Sequence, residues 1–152
     1  MRPTVPDPAL VIRPARPTLT DAHALLEVER HSLGDSPYTP VEVLGVLRRP
    51  EHHAYLALRG GWVVGFCSAI ETPTDGGPRL ELDMLGVLPS DRRRGIATAL
   101  LRAAMADAQS RGVQRFRGVV AVDNVASQRA FAAAGLRCAS SPRDLTVYAL
   151  RG

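Results

Sequence analysis

The spacing of apolar positions changes period several times along the chain, and each change marks an element. Residues 9–13 form a short apolar run that predicts a first strand. Thr20 stands where a helix N-cap belongs, and Leu25, Leu26 and Val28 follow at helical spacing, which predicts a helix to about Arg30. Thr39, Pro40 and Glu42 supply an N-cap, a first-turn proline and a carboxylate able to reach back to the cap, so a second helix is expected through Leu44 and Leu47.

The pattern then shortens to a strand period. Residues 54–58 and 62–70, joined by a turn at 59–61, read as a hairpin in which Trp62 is expected to pack. After a loop at 72–78, Arg79 to Val87 alternates, so Leu80, Leu82 and Met84 are predicted on one face and Glu81 and Asp83 on the other. Pro89 closes that strand. A third helix is expected from near Gly95, with Ile96, Ala97, Leu100, Leu101, Ala104, Met105 and Ala108 as its apolar face and Gly112 as its stop. A strand at 114–122, a helix at 125–134 ended by Gly135, and a hairpin of 136–139 and 145–150 complete the series. Such an order predicts an α/β protein with a mixed layer, one domain over 9–152 behind a loose, proline-bearing tail at 1–8.

Composition narrows this only a little. A chain of 152 residues, 45% hydrophobic and 22% charged, is long enough to bury a core without a metal or partner. The net charge of +4, carried by arginine, is compatible with a nucleic acid, an acidic protein or a phosphorylated small molecule and ranks none of them. Cys67 and Cys138 lie in apolar segments and are expected as reduced core residues. The four histidines, His23, His31, His52 and His53, lack metal-site spacing, so no metal is expected. With no apolar run of membrane length and no signal-peptide pattern at the start, a cytoplasmic protein without a membrane partner is expected.

The stretch of chemical interest is Arg92-Arg93-Arg94-Gly95-Ile96-Ala97-Thr98, three arginines and a glycine at a helix start. Free amides there and the helix field suit an anion, so a phosphate cradle stands beside the plainer reading of a solvated basic turn. Neither GxxxxGK[ST] nor GxGxxG occurs, and no helix-turn-helix pattern places the arginines on a reading helix.

These residues resemble the Gcn5-related N-acetyltransferase (GNAT) superfamily. Its signature, a basic residue or glutamine, two variable residues, Gly, a variable residue and Gly or Ala, is met by Arg92 to Ala97, preceded by LGVLP at 85–89. The family's later segment is met by Asn124, Ser127, Phe131, Gly135 and Leu136. The resemblance implies a mixed sheet with splayed central parallel strands flanked by helices, and acetyl-CoA as cosubstrate. It places the diphosphate over 92–98 and the pantetheine arm beside Leu85, Gly86 and Val87, with Gly86 as the expected bulge and nearby amides receiving the thioester oxygen. Asn124, Ser127 and Phe131 would also touch the cosubstrate, although Asn124 reads equally as a helix cap.

The implied reaction is direct attack by a neutral primary amine in a ternary complex; the amine either arrives deprotonated or loses its proton to a base, Glu81 ahead of Asp83, and both carboxylates read also as binding a cationic substrate or facing solvent. Phe131 stands where many members carry a proton-donating tyrosine, so either CoA leaves as thiolate or water or Tyr148 serves as donor, although Tyr148 reads first as a sheet residue. The acceptor would sit over the two N-terminal helices with their loop, 31–39, and the final hairpin near 140–144, and is either a protein N-terminus, as in ribosomal-protein acetyltransferases, or a small amine. A monomer or homodimer that binds no nucleic acid is expected. The alternative function is a catalytically weak acyl-CoA-binding regulatory module of the same fold.

Overall fold

Gly60 and Gly61, both at positive φ, turn the chain between β2 (His52–Arg59) and β3 (Trp62–Thr72), a conformation glycine adopts without a steric penalty. This hairpin belongs to a seven-stranded sheet in the computed structural model, which describes residues 10–140 and 145–151. The other strands are β1 (Leu10–Pro14), β4 (Arg79–Val87), β5 (Arg115–Ala121), β6 (Arg137–Ser140) and β7 (Leu145–Arg151). Their spatial order is β1-β2-β3-β4-β5-β7-β6, antiparallel throughout except for the β4–β5 pair. That parallel pair needs a crossover, which α3 (Ile96–Ser110) provides. The helices α1 (Leu19–Ser32), α2 (Pro40–Leu47) and α4 (Val125–Ala133) complete the fold, the mixed α/β sheet with splayed parallel strands that the sequence implied.

Adjacent residues of β3 divide the core in two. Cys67 and Ala69 pack with Leu100, Leu101 and Ala104 of α3, whereas Phe66 packs with Leu25 and Val28 of α1. Because successive strand side chains point to opposite faces, α3 and α1 cover opposite sides of the sheet.

Local signals set most helix ends. Thr39 and Glu42 form the expected capping box around Pro40. Gly112 and Gly135 take positive φ after α3 and α4, and the amides of Val113 and Leu136 close back on Ala108 and Phe131 at 3.0 Å each.

Four expectations are corrected. The first helix is capped by Thr18, whose Oγ1 accepts the Asp21 amide at 3.2 Å, two residues before Thr20. Buried Asp21 fixes that start by accepting from Arg13 at 2.7 and 2.9 Å and from the Arg16 amide at 2.6 Å, which ties the first turn to β1. Trp62 does not pack. It follows the Gly-Gly turn at the tip of the hairpin and is 79% exposed. Cys67 is buried as expected, but Cys138 is exposed on the short strand β6. Met84 does not share a face with Leu80 and Leu82. They pack on the α3 side and it packs on the α1 side.

The tail expected at 1–8 and the turn at 141–144 lie outside the described residues. No described helix is long and apolar enough to cross a membrane.

Candidate active site

The reversal at Met84 has a local cause. Between β3 and β4 the pairing runs from Ala69↔Leu82 directly to Ser68↔Met84, so Asp83 is an extra residue with no partner opposite it. A bulge of this kind bends its strand and re-aims side chains. Gly86, expected to be the bulge, sits instead in unbroken register with Phe66. It is glycine for another reason: a Cβ there would lie 2.5 Å from Ser32 Oγ at the end of α1 and 2.8 Å from a Phe66 ring carbon.

The bulge coincides with the parting of the parallel strands. β4 and β5 pair from Arg79↔Arg115 to Leu82↔Gly118 and no further, while β5 continues alongside β7 to Ala121. A cavity of about 150 Å3 occupies the resulting gap, with Asp83, Leu85, Val119, Asn124, Ser127 and Phe131 among its walls. Asn124 caps α4, its Oδ1 accepting the Ser127 amide at 3.2 Å. Phe131 is buried against Gly118.

A wider cleft of about 660 Å3 lies beside the start of α3. Gly95 caps that helix at φ 76° and no side chain caps it, so by helix geometry the amides of Ile96, Ala97 and Thr98 have no partner within the helix. Arg93, at φ 65°, holds a left-handed conformation that costs a non-glycine residue roughly 1–2 kcal/mol. The side chain of Arg92 straps this turn down, donating from Nε to the Val87 carbonyl at 3.2 Å and from Nη2 to the Ser32 carbonyl at 3.3 Å.

A phosphate group fits this turn on three counts: open space, charge and dipole. A Cβ built on Gly95 meets nothing within 4 Å, and the first turn of α3 holds no acidic residue to compete for its field. Arg92, Arg93 and Arg129 line the cleft, while its one acidic neighbour, Asp91, is held by Arg59 at 3.3 Å and by Ser90 at 2.9 Å. Leu85, Gly86, Val87, Gly95, Ile96, Ala97, Thr98 and Ser127 also line the cleft. Arg94 is exposed and stands outside that lining, and Asn124 and Phe131 belong to the gap instead.

The two candidate carboxylates differ sharply in surroundings. Glu81 accepts from Arg79 Nε at 2.6 Å, has Arg117 Nη1 at 3.7 Å, and lines neither gap nor cleft. Asp83 is exposed and lines the gap. Across the sheet, burial pushes the Cys67 thiol up to about 12, with the Asp83 charge adding to the effect, so Cys67 stays protonated and is no nucleophile.

The sequence profile of the acetyltransferase (GNAT) family matches residues 19–136, most of the chain. The chain belongs to this family. No curated protein matches it in sequence. Among solved structures, its GNAT fold is similar to that of paia N-acetyltransferase from Thermoplasma acidophilum in complex with coenzyme A, with a TM-score of 0.80 and 17% identity over 95% of this chain and 99% of that one. The ribosomal-protein-S18-alanine N-acetyltransferase from Escherichia coli is similar at a TM-score of 0.73 and 20% identity over 93% of each chain. The yncA protein from Salmonella typhimurium, solved with acetyl-CoA, is similar at 0.78 and 19% over 94% of each.

Part of the region expected to meet the acceptor encloses a cavity in which Glu29 and Ser68 are residues that the sequence did not single out. This third cavity is lined by Glu29, His52, Ser68 and Asp83, together with Tyr38 and Met84. His52 Nε2 lies 2.6 Å from Ser68 Oγ, and burial holds the ring below its usual pKa of 6.5, with the nearby charge of His53 acting in the same direction. A signal for Glu29 was present: it follows Leu25 and Val28 at helical spacing, a carboxylate on the apolar stripe of α1. His52, expected at the surface or in a substrate cleft, lines this cavity, and its depth depends on helices packed over the start of β2. Tyr148 pairs with Gly118 through the backbone, and its side chain lies outside the described residues. Among the described residues no group of three His, Cys, Asp or Glu is placed to hold a metal.

Proposed function

We propose that this GNAT protein moves an acetyl group from acetyl-CoA to a primary amine in a ternary complex. One observation carries the reading. The cleft at the α3 N-terminus and the gap where β4 leaves β5 share Leu33, Leu85 and Ser127 as walls, so an anion site adjoins an opening in the sheet beside a free carboxylate.

Acetyl-CoA supplies the acyl carbon as a thioester and carries the diphosphate by which it is held. The amides of Ile96, Ala97 and Thr98 receive the diphosphate, with Arg92 and Arg93 adding charge from the cleft and Arg94 from outside it. Past Leu82, β4 is released from β5, and Leu85, Gly86 and Val87 present that edge to the pantetheine arm while polarising the thioester carbonyl. Asn124, Ser127 and Phe131 close the far side of the gap.

Asp83 accepts the proton that the amine sheds as the C–N bond forms and the C–S bond breaks. Glu81 is kept from that role by Arg79 on its own strand, with Arg117 of β5 close by. Phe131 has no proton to give, so the departing sulfur takes one from water. An assay of CoA release against assorted amines, run beside calorimetry of CoA binding, tests the reading, and CoA binding without release on any amine would overturn it.

That outcome would favour the second reading, an acyl-CoA-binding regulatory module, which the phenylalanine at position 131 specifically supports. A cytoplasmic location and a monomeric or homodimeric state belong to the same proposal, and cell fractionation and sedimentation test them.

A further inference from the structure

The third cavity, about 250 Å3, lies under α1 and α2 on the sheet face away from α3. Its walls are apolar where those helices meet the sheet, through Leu25, Val43, Leu47 and Met84. Glu29 lines it and is only 7% exposed, yet its Oε2 has no hydrogen-bond partner among the described residues, and neither has Nδ1 of buried-side His52. A carboxylate oxygen only accepts hydrogen bonds, and one buried without a donor is costly. In the tautomer that carries its proton on Nε2 and donates it to Ser68, the neutral ring of His52 presents a second bare acceptor at Nδ1.

Two unfilled acceptors inside an apolar sleeve match a donor-rich cation on an aliphatic arm. The exposed rim residues Arg49 and Glu51 are opposite in sign and leave that balance to Glu29 and Asp83. Asp83 lines both this cavity and the gap, so a substrate whose reacting nitrogen meets Asp83 has room for its other end here. We infer that this cavity is an acceptor-specificity subsite, which takes a second cationic group of the amine substrate, ammonium or guanidinium, onto Glu29 and His52. The inference rests on the amine-acetylation reading above for its substrate, but its binding can be measured without turnover.

The test compares putrescine with butylamine, and free-N-terminus tripeptides carrying arginine or alanine at the second residue. The dibasic member of a pair is expected to exceed its monobasic partner by about tenfold or more in kcat/KM, since a charge-assisted hydrogen bond is at stake. Glu29→Gln, which keeps shape and removes charge, is expected to bring that ratio close to one. Preference within the putrescine pair assigns the cation to a free diamine, and preference only within the peptide pair assigns it to a peptide side chain. Equal use of both members in both pairs by the wild-type protein would overturn the subsite and leave acetylation standing, a result that does not depend on the variant folding. Calorimetry of putrescine and of the arginine peptide on the CoA-loaded protein separates the remaining case: Glu29-dependent binding without CoA release keeps the subsite and removes the acetylation reading.

Discussion

The ring of Phe131 lies directly on the backbone of Gly118, so close that a Cβ added to the glycine would stand 2.6 Å from Cζ. Gly118 is also the last residue of β5 paired with β4, so the contact props α4 against the strand at the point where the sheet opens. Gly118→Ala is expected to cost about 1–3 kcal/mol by overpacking and Phe131→Ala about 3–5 kcal/mol by leaving a cavity. In the double variant the new methyl enters the space the ring vacated, so the combined loss is expected to fall short of the sum. Urea midpoints of the four proteins measure this coupling, and strict additivity would contradict the contact.

Phe131→Tyr restores a proton donor on a ring of the same shape. If unassisted departure of the sulfur limits turnover, kcat is expected to rise by up to roughly 100-fold, the low end of what a placed acid supplies. An unchanged kcat in single-turnover measurements would show that protonation of the sulfur is not limiting.

Asp83→Asn and Glu81→Gln are expected to separate the two carboxylates. The first is expected to lower kcat/KM at neutral pH by about 100-fold, with partial recovery at high pH where the free amine is abundant. The second loosens a partly exposed pair with Arg79, with an expected cost of about 1 kcal/mol of stability or less and a far smaller effect on rate. A pH–rate series on both variants decides, and the opposite order of effects would return the base to Glu81.

Thr98→Glu places a carboxylate in the first turn of α3, where the helix field favours it. Thermal stability is therefore expected to hold while CoA affinity falls about tenfold at low salt, and the loss is expected to shrink as salt screens the repulsion. Calorimetry at two ionic strengths measures both features. Unaltered affinity would move the diphosphate away from this turn.

His52 and His53 make stability depend on pH. Burial is the first cause that lowers both below 6.5, joined at His52 by the charge of His53 and at His53 by that of Arg111. The unfolded chain therefore binds protons more readily than the folded one. Their contribution is complete above the unfolded value near 6.5 and is lost as pH falls through the depressed folded values. Urea midpoints are expected to drop between about pH 7.5 and about pH 5.5, and His52→Gln is expected to flatten that drop. An equally steep drop in the variant would exclude His52 as a source.

What the sequence determined by itself is whatever depends on neighbours a few residues apart. Thr39, Pro40 and Glu42 announce their helix because a capping box closes within four residues, and the RRRGIA turn raises a phosphate cradle beside a solvated basic turn because helix starts carry free amides wherever they occur. The reading failed where a partner is distant in the chain. The alternation of Arg79–Val87 was legible, but the break in it at Asp83 is set by register with β3, and that extra residue carried Met84 to the α1 side. Likewise Arg117 joins Arg79 at Glu81 only once β4 lies beside β5, and Glu29 and His52 share a cavity only once α1 and α2 close over the sheet. Periodicity is a local property, whereas register, ion pairing and burial are settled by which surfaces meet, so the tertiary structure alone decided which carboxylate faces the gap and which stays buried beneath the helices.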